Sequence, residues 1–368
     1  MKITVTGGAG FIGSHLTDLL VGKGHDVLVV DSLEKQVHLG KKPGYLNRKA
    51  KYIFEKAENP EAMKKYLPRT DILIHLAALV GVGQSMYQIK KYMAGNTQAT
   101  AKILQYISEN KHGLKKIVVA SSMSIYGEGA YKCPQHGAVY PRLRDERDLA
   151  RGDWEMKCPV CGKAVAAAPT NEDKPLYPTS IYAISKRDQE EMTHSVGSAY
   201  GIPTVALRFF NVYGERQALS NPYTGVLAIF ASRLLNGNSP YIFEDAEQTR
   251  DFIYVKDLAR GIYLAALKAE GNSSINLGCG RPVSVKRVAG ALRDALAPAV
   301  KIEIARKFRK GDIRHCYADA ALAEKVIGFK TGTSFEEGIG TYLEWLKHQK
   351  AADGFEKAAR ELKAKGLA

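Results

Sequence analysis

Tyr182 and Lys186 stand four residues apart in "SIYAISK", a spacing that brings both to one face of a helix. A phenol has an unperturbed pKa near ~10, too high for a base at neutral pH. A neighbouring ammonium favours the phenolate and lowers that value. Ser122, in "SSMSIYGEG", is placed to share a hydrogen bond with a reacting hydroxyl. A second constellation is Cys133 and His136 in CPxH, followed by Cys158 and Cys161 in CPxC. Two such pairs joined by a loop have the spacing of a structural zinc site, a closed tetrahedron with no position left for reactive water. The alternative is a pair of idle reduced thiols beside a surface histidine, and His112 or His194 could replace His136. Cys279 and Cys316 read as ordinary buried thiols.

These residues need a scaffold. Short, nearly all-apolar runs at Ile3–Thr6, Asp26–Val30, Asp71–Leu76, Lys116–Ala120 and Thr204–Phe209 alternate with amphipathic stretches such as 14–24 and 97–110. That pattern predicts a doubly wound parallel sheet covered by helices on both faces. "TVTGGAGFIGSHL" sets Gly7, Gly10 and Gly13 between the first strand and its helix. Gly7 permits the tight turn, Gly10 the approach of a pyrophosphate, and Gly13 close helix packing, with the helix N-terminus supplying N–H donors. Phe11 and Ile12 are assigned to the same cofactor wall. Asp31, closing the second strand in "VLVVDS", suits the ribose hydroxyls of NAD and repels a 2′-phosphate. Lys35 nearby keeps NADP open.

The pattern breaks at 131–174, rich in Pro, Gly, charge and Cys, which reads as an insertion. The expected division is an NAD-binding part over 1–212 plus about 250–270, with an apolar strand at Phe252–Val255 and a helix behind it. A zinc-ribbon-like insertion occupies 131–174. A smaller mixed α/β substrate part takes 213–249 and 271–349, and a polar tail 350–368.

The chain has 368 residues and a formal charge of +15. Its lysines are scattered over helix-like segments, with no basic block interleaved with aromatics, so nucleic acid is not the expected partner. An anionic small molecule is. No apolar run approaches the ~18 residues of a membrane span, and the N-terminus enters a strand-like "KITVTGG" without a leader pattern. A cytoplasmic protein is expected, in which paired cysteines more often hold metal than form disulfides.

The glycine turn, "HLAA" at 75–78, "SSMSIYG", "YAISK", "RFFNVYG" at 208–214, "TRDFIYVKD" at 249–257 and "RKGDIR" at 309–314 together resemble the extended short-chain dehydrogenase/reductases. Within them, the resemblance is to the NAD-dependent nucleotide-sugar epimerases and dehydratases, over roughly 1–349. It implies that Leu76, Ala77, Ala78 and Asn96 contact the cofactor and that Asn211, Arg250 and Arg309 bind the substrate diphosphate. Asp312 would then face the nucleoside. Tyr182 would act as base and Lys186 would bind the nicotinamide ribose; a homodimer is expected. Relatives carry an Asp after the third strand for adenine, whereas here "FEKAENPE" offers only Glu55 or Glu58.

The resemblance also bears on the reaction. Dehydratases place Asp-Glu directly after the active Ser or Thr. UDP-glucuronate decarboxylases keep a Glu at the second of those positions, and GDP-mannose 3,5-epimerases a Cys. This chain has Met123 and Ser124, neither of which takes a proton from carbon. The expected reaction is therefore 4-epimerisation. "VGVGQSMYQI" (80–89) and 215–237 are similar to bacterial dTDP-L-rhamnose 4-epimerases, which implies the pair dTDP-L-rhamnose and dTDP-6-deoxy-L-talose. Another UDP- or GDP-sugar epimerase or 4,6-dehydratase is the alternative. The competing class is a non-catalytic NAD-binding regulator with a zinc ribbon; such sensors usually lose the Tyr or Lys, and both stand here.

Overall fold

A computed structural model describes residues 1–367. The chain begins with the strands Lys2–Thr6 (β1), Asp26–Val30 (β2), Lys51–Ile53 (β3), Ile72–His75 (β4) and Lys116–Ser122 (β5). The Cys/His segment adds Ala130–Cys133 (β6), Gly137–Val139 (β7) and Ala166–Ala168 (β8). After it come Thr204–Phe209 (β9), Asn211–Tyr213 (β10), Tyr241–Ile242 (β11), Thr249–Tyr254 (β12) and Ser273–Leu277 (β13). Pro282–Ser284 (β14), Glu303–Ile304 (β15) and His315–Cys316 (β16) complete the set.

Seven strands form one parallel sheet in the order β13-β9-β5-β4-β1-β2-β3. Strands buried on both faces must be apolar at successive positions, and β9 is buried at all six. The helices Phe11–Gly22 and Val255–Lys268 cover one face, where Leu16, Leu20, Leu258 and Ile262 meet Ile3 and Val5. The helix Ala99–Glu109 covers the other, packing Ile103 and Ile107 near Leu73 and Ile117. From β1 the chain winds outward to β2 and β3, then returns to β4 on the opposite side. That reversal opens a crevice beyond the carboxyl ends of the strands, where ligands of such sheets bind. The fold is the doubly wound α/β architecture expected.

Two segments are placed differently from expectation. Phe252–Val255 does not rejoin the large sheet. Phe252–Tyr254 belong to β12, which pairs with β10, β14 and β16 in a smaller mixed sheet, and Val255 opens the helix behind it. Only the helix behind it returns to the large sheet. Ser273–Leu277, assigned to the substrate part, is instead the edge strand β13. A short apolar run reads alike in either sheet, and β13 opens with two half-exposed serines that dilute its pattern.

The insertion is a small structure of its own. Strands β7-β6-β8 form an antiparallel sheet, with Tyr131, Val139, Met156 and Val165 packed around Cys133 and Cys158. The polar tail forms a helix, Phe355–Ala364. Among the described residues no helix is long and apolar enough to cross a membrane.

Candidate active site

The turn after β1 is built by its glycines. Gly7 sits at φ +72°, and a Cβ there would lie 2.8 Å from the Ala77 nitrogen. A Cβ on Gly13 would lie 2.2 Å from the Gly7 carbonyl oxygen. Gly10 caps the helix Phe11–Gly22 without any side-chain hydrogen bond, so the first-turn N–H groups are left for an anion. Asp31 closes this cradle: its carboxylate accepts from the backbone N–H of Ala9 (3.0 Å) and of Leu33 (2.9 Å).

The helix Ile181–Tyr200 starts at Ser180, whose hydroxyl accepts from the Ala183 N–H at 3.1 Å. That cap puts Tyr182 in the first turn and Lys186 one turn later, both facing the end of β5. Lys186 Nζ donates to the Ala120 carbonyl at 2.7 Å. Ser122 Oγ accepts from Ser124 Oγ (2.9 Å) and Ser124 N–H (3.2 Å), leaving its own hydrogen to donate toward the cavity.

The electrostatics run against the sequence-based expectation. Burial pushes the Tyr182 phenol up to about 12, with the Ser122 hydroxyl pulling the other way. Burial also draws the Lys186 ammonium down to about 7. Desolvation thus disfavours charge on both groups, and the lysine does not by itself lower the phenol.

A cavity of about 1010 Å³ joins these features, at the upper end of small-molecule sites. Gly7, Gly10, Phe11, Ile12, Gly13 and Asp31 line it, as do Leu76, Ala77 and Ala78. So do Ser122, Tyr182 and Lys186, and at the far end Asn211, Arg250, Arg309 and Asp312. Asn96 does not. Its amide is fully buried and bonds the Leu79 backbone (2.7 and 3.1 Å) and Ser185 Oγ (3.0 Å), fixing the loop after β4. Glu58 lines the wall near β3 and Glu55 does not; Lys35 is exposed and lies off the wall.

The two expected diphosphate arginines are not equivalent. Arg250 spends its guanidinium on the carbonyls of Thr249, Ile313 and Arg314 (2.7–2.9 Å). Arg309 pairs with Asp312 at 2.8 Å and lies over the Phe243 ring. Residues that sequence reasoning missed include Gln217, Tyr223, Phe243, Gln248 and the face of the tail helix, all cavity-lining and all in stretches without a clear period. Asn211 Oδ1, Gln217 Oε1 and Gln248 Oε1 are buried without a protein partner. A ligand with several donors fits such a wall.

The insertion meets this end of the cavity through buried ions. Arg144 forks onto Glu244 (2.7 and 2.9 Å) and donates to the Asp312 carbonyl at 3.1 Å. Arg314, fully buried, binds Glu244 (3.0 Å) and Asp245 (2.6 and 2.9 Å). Glu128 accepts from the Arg314 N–H at 2.7 Å. Within the insertion, the ligand atoms of Cys133, His136, Cys158 and Cys161 lie within 4.8 Å of one another. Burial opposes charge on Cys133, but the Gln135 N–H and His136 bring its thiol down to about 6.

Comparison with known proteins agrees with this geometry. The profile of the NAD dependent epimerase/dehydratase family matches residues 3–143 and 158–278. A dTDP-L-rhamnose 4-epimerase of Burkholderia thailandensis is 31% identical over 352 residues, 95% of either chain. The crystal structure of a UDP-glucose 4-epimerase from Thermotoga maritima with UDP-glucose superposes with TM-score 0.76 at 30% identity, covering 94% of this chain and 99% of that one. A UDP-glucuronic acid 4-epimerase from Bacillus cereus, in complex with UDP-glucuronic acid and NAD, gives 0.77 at 26%, with the same coverage. The chain belongs to the NAD-dependent epimerase/dehydratase family, and its class is that of the NAD-dependent nucleotide-sugar epimerases, which are isomerases.

Proposed function

We propose that the enzyme is a nucleotide-sugar 4-epimerase whose substrates are dTDP-L-rhamnose and dTDP-6-deoxy-L-talose. One observation carries the reaction: Met123 and Ser124 line the cavity beside Ser122 and Tyr182, and neither is a carbon acid–base group. Of the lining acids, Asp31, Glu34 and Glu58 come from the β2 and β3 ends. Glu244 and Asp312 are held by Arg144 and Arg309. Tyr182 is thus the one side chain placed to take and return a proton at the sugar. Elimination of water or inversion at C5 needs a second.

The cradle around Gly7, Gly10, Gly13 and Asp31 fits NAD, which when bound accepts and returns the hydride at C4. Tyr182 Oη removes the C4 hydroxyl proton and later restores it. Ser122 donates a hydrogen bond to the same oxygen, and Lys186, with two N–H groups left beyond its bond to Ala120, holds the nicotinamide ribose. Asn211, Arg309 and Asp312 bind the diphosphate and nucleoside while the keto sugar turns its other face, and Arg250, tied to the carbonyls of Thr249, Ile313 and Arg314, adds only the N–H groups those bonds leave over. Resemblance of 80–89 and 215–237 to dTDP-L-rhamnose 4-epimerases supports the sugar. The test is a set of dTDP-, UDP- and GDP-sugars followed by NMR at C4. Tyr182→Phe should cost about 10²–10⁴-fold in turnover with NAD still copurifying. A 4-keto-6-deoxy product from a hexose would instead show a dehydratase.

We also propose that Cys133, His136, Cys158 and Cys161 hold one structural zinc, which folds a segment with only a small core of its own. Elemental analysis should find about one zinc per chain, and Cys161→Ser should release it and speed proteolysis within 131–174. A metal-free protein with native proteolysis would leave ordinary thiols. All five cysteines are free, which suits the cytoplasm. The expected homodimer belongs to the same reading and is checked by sedimentation.

A further inference from the structure

The helix Phe355–Ala364 lies across the cavity. Phe355, Ala358, Ala359 and Leu362, spaced three and four apart on one face, all line it. Polar anchors fix the helix there. Glu361 Oε2 accepts from Tyr87 Oη (2.8 Å) and Tyr223 Oη (2.7 Å). Arg233, itself buried, donates to Glu356 at 3.1 Å and covers the Phe355 ring at 4.2 Å. The lead-in is tied too: the Ala351 carbonyl accepts from Asn236, and the Ala352 N–H donates to Ser220.

Leu362 reaches toward the candidate base. A Cβ added to Gly83 would lie 3.3 Å from Leu362 Cδ2. Gly83 belongs to the short helix Val82–Ser85, and Ser85 Oγ accepts the backbone N–H of Tyr182 at 3.0 Å. One short turn of chain therefore separates Leu362 from the Tyr182 backbone, which puts the tail helix at the end of the cavity where Tyr182 stands.

We propose that this helix is the outer wall of the sugar pocket and selects nucleotide sugars bearing a small apolar group at C5, a methyl, over uronates. The inference rests on the epimerase reading above. Segments 80–83, 217–230 and 355–362 meet at this wall, and none contributes a charged side chain to the cavity lining. Their polar lining groups are uncharged, Gln217, Asn221, Tyr223 and Thr224. Of the two acids on the helix, Glu361 is held by two tyrosines and Glu356 by Arg233. A C6 carboxylate would lose its water here without gaining a counter-charge, whereas a methyl loses nothing.

The test uses the full-length enzyme with its copurified NAD, and dTDP-L-rhamnose, UDP-glucose and UDP-glucuronate as probes. The wild type should favour the 6-deoxy sugar. Leu362→Ala should raise its KM about threefold to tenfold with kcat changed less. Leu362→Lys should lower kcat/KM for dTDP-L-rhamnose at least tenfold while improving UDP-glucuronate relative to it, with NAD content unchanged. Independently, hydrogen exchange in 355–364 should slow when dTDP-L-rhamnose is added to Tyr182→Phe. Unaltered preferences in both Leu362 variants, no protection of the helix, or a wild type that prefers the uronate would overturn this inference and leave the epimerase reading standing. Turnover of no nucleotide sugar at all would overturn both.

Discussion

His75 ends β4 with both ring nitrogens in hydrogen bonds, Nδ1 to Thr6 Oγ1 at 2.7 Å and Nε2 to Thr100 Oγ1 at 3.0 Å. Burial holds the imidazole neutral and drives its pKa down to about 3. The unfolded chain takes up this proton first, near pH ~6.5. The stabilising contribution is therefore complete above that value and is lost as pH falls toward about 3. The slope is at most one proton, about 1.4 kcal/mol per pH unit. Urea melts between pH 7 and 5 should show His75→Gln with a lower plateau but a shallower acid slope. A wild-type slope retained by the variant would place the proton elsewhere. At this scale the sequence read well where chemistry imposes spacing: Tyr182 and Lys186 share a face because four residues make about one turn. It was silent on Asn96's bonds, because nothing in a string of letters shows an amide holding the Leu79 backbone and Ser185.

Among the elements, the glycine turn was legible because each glycine answers a contact that no side chain could occupy. Gly13→Ala should push the helix start away from the Gly7 carbonyl and abolish NAD copurification. The sheet itself should survive, as near-native far-UV circular dichroism would show. Nucleotide retained at wild-type level would mean that the turn relaxes without loss. The long buried strands were legible for a related reason, since full burial demands unbroken apolar runs. The three-residue β3 and the half-polar β13 carry too little pattern to stand out. Strand β12 misled because its apolar run fits two sheets equally. The small sheet β7-β6-β8 was hidden because its strands are three or four residues long and its core is built largely around thiols.

At the scale of the molecule, the insertion and the substrate end of the cavity form one body through Arg144, Glu244 and Arg314. Arg144→Leu would leave Glu244 with one partner fewer in a buried setting, a loss of about 3–5 kcal/mol for breaking such a pair. The expected outcome is a lower melting temperature and weaker nucleotide-sugar binding, with NAD content intact because the glycine turn lies at the other end. Equal loss of both ligands would contradict this separation. None of this network was visible in the sequence, where Arg144 and Glu244 stand 100 residues apart and Glu244 and Arg314 stand 70 apart.

The tail helix buries only one side chain fully, Ala358, with Phe355, Ala359 and Leu362 half-buried against the cavity, whereas the large sheet buries whole strands. Local stability follows such differences, so warming frees the helix long before the sheet gives way. Turnover then fades at temperatures where the protein is still folded and still holds its nucleotide, and it returns on cooling. The heat limit of this enzyme as a working machine is set by its last ten helical residues, and its heat limit as a folded object by the seven-stranded sheet.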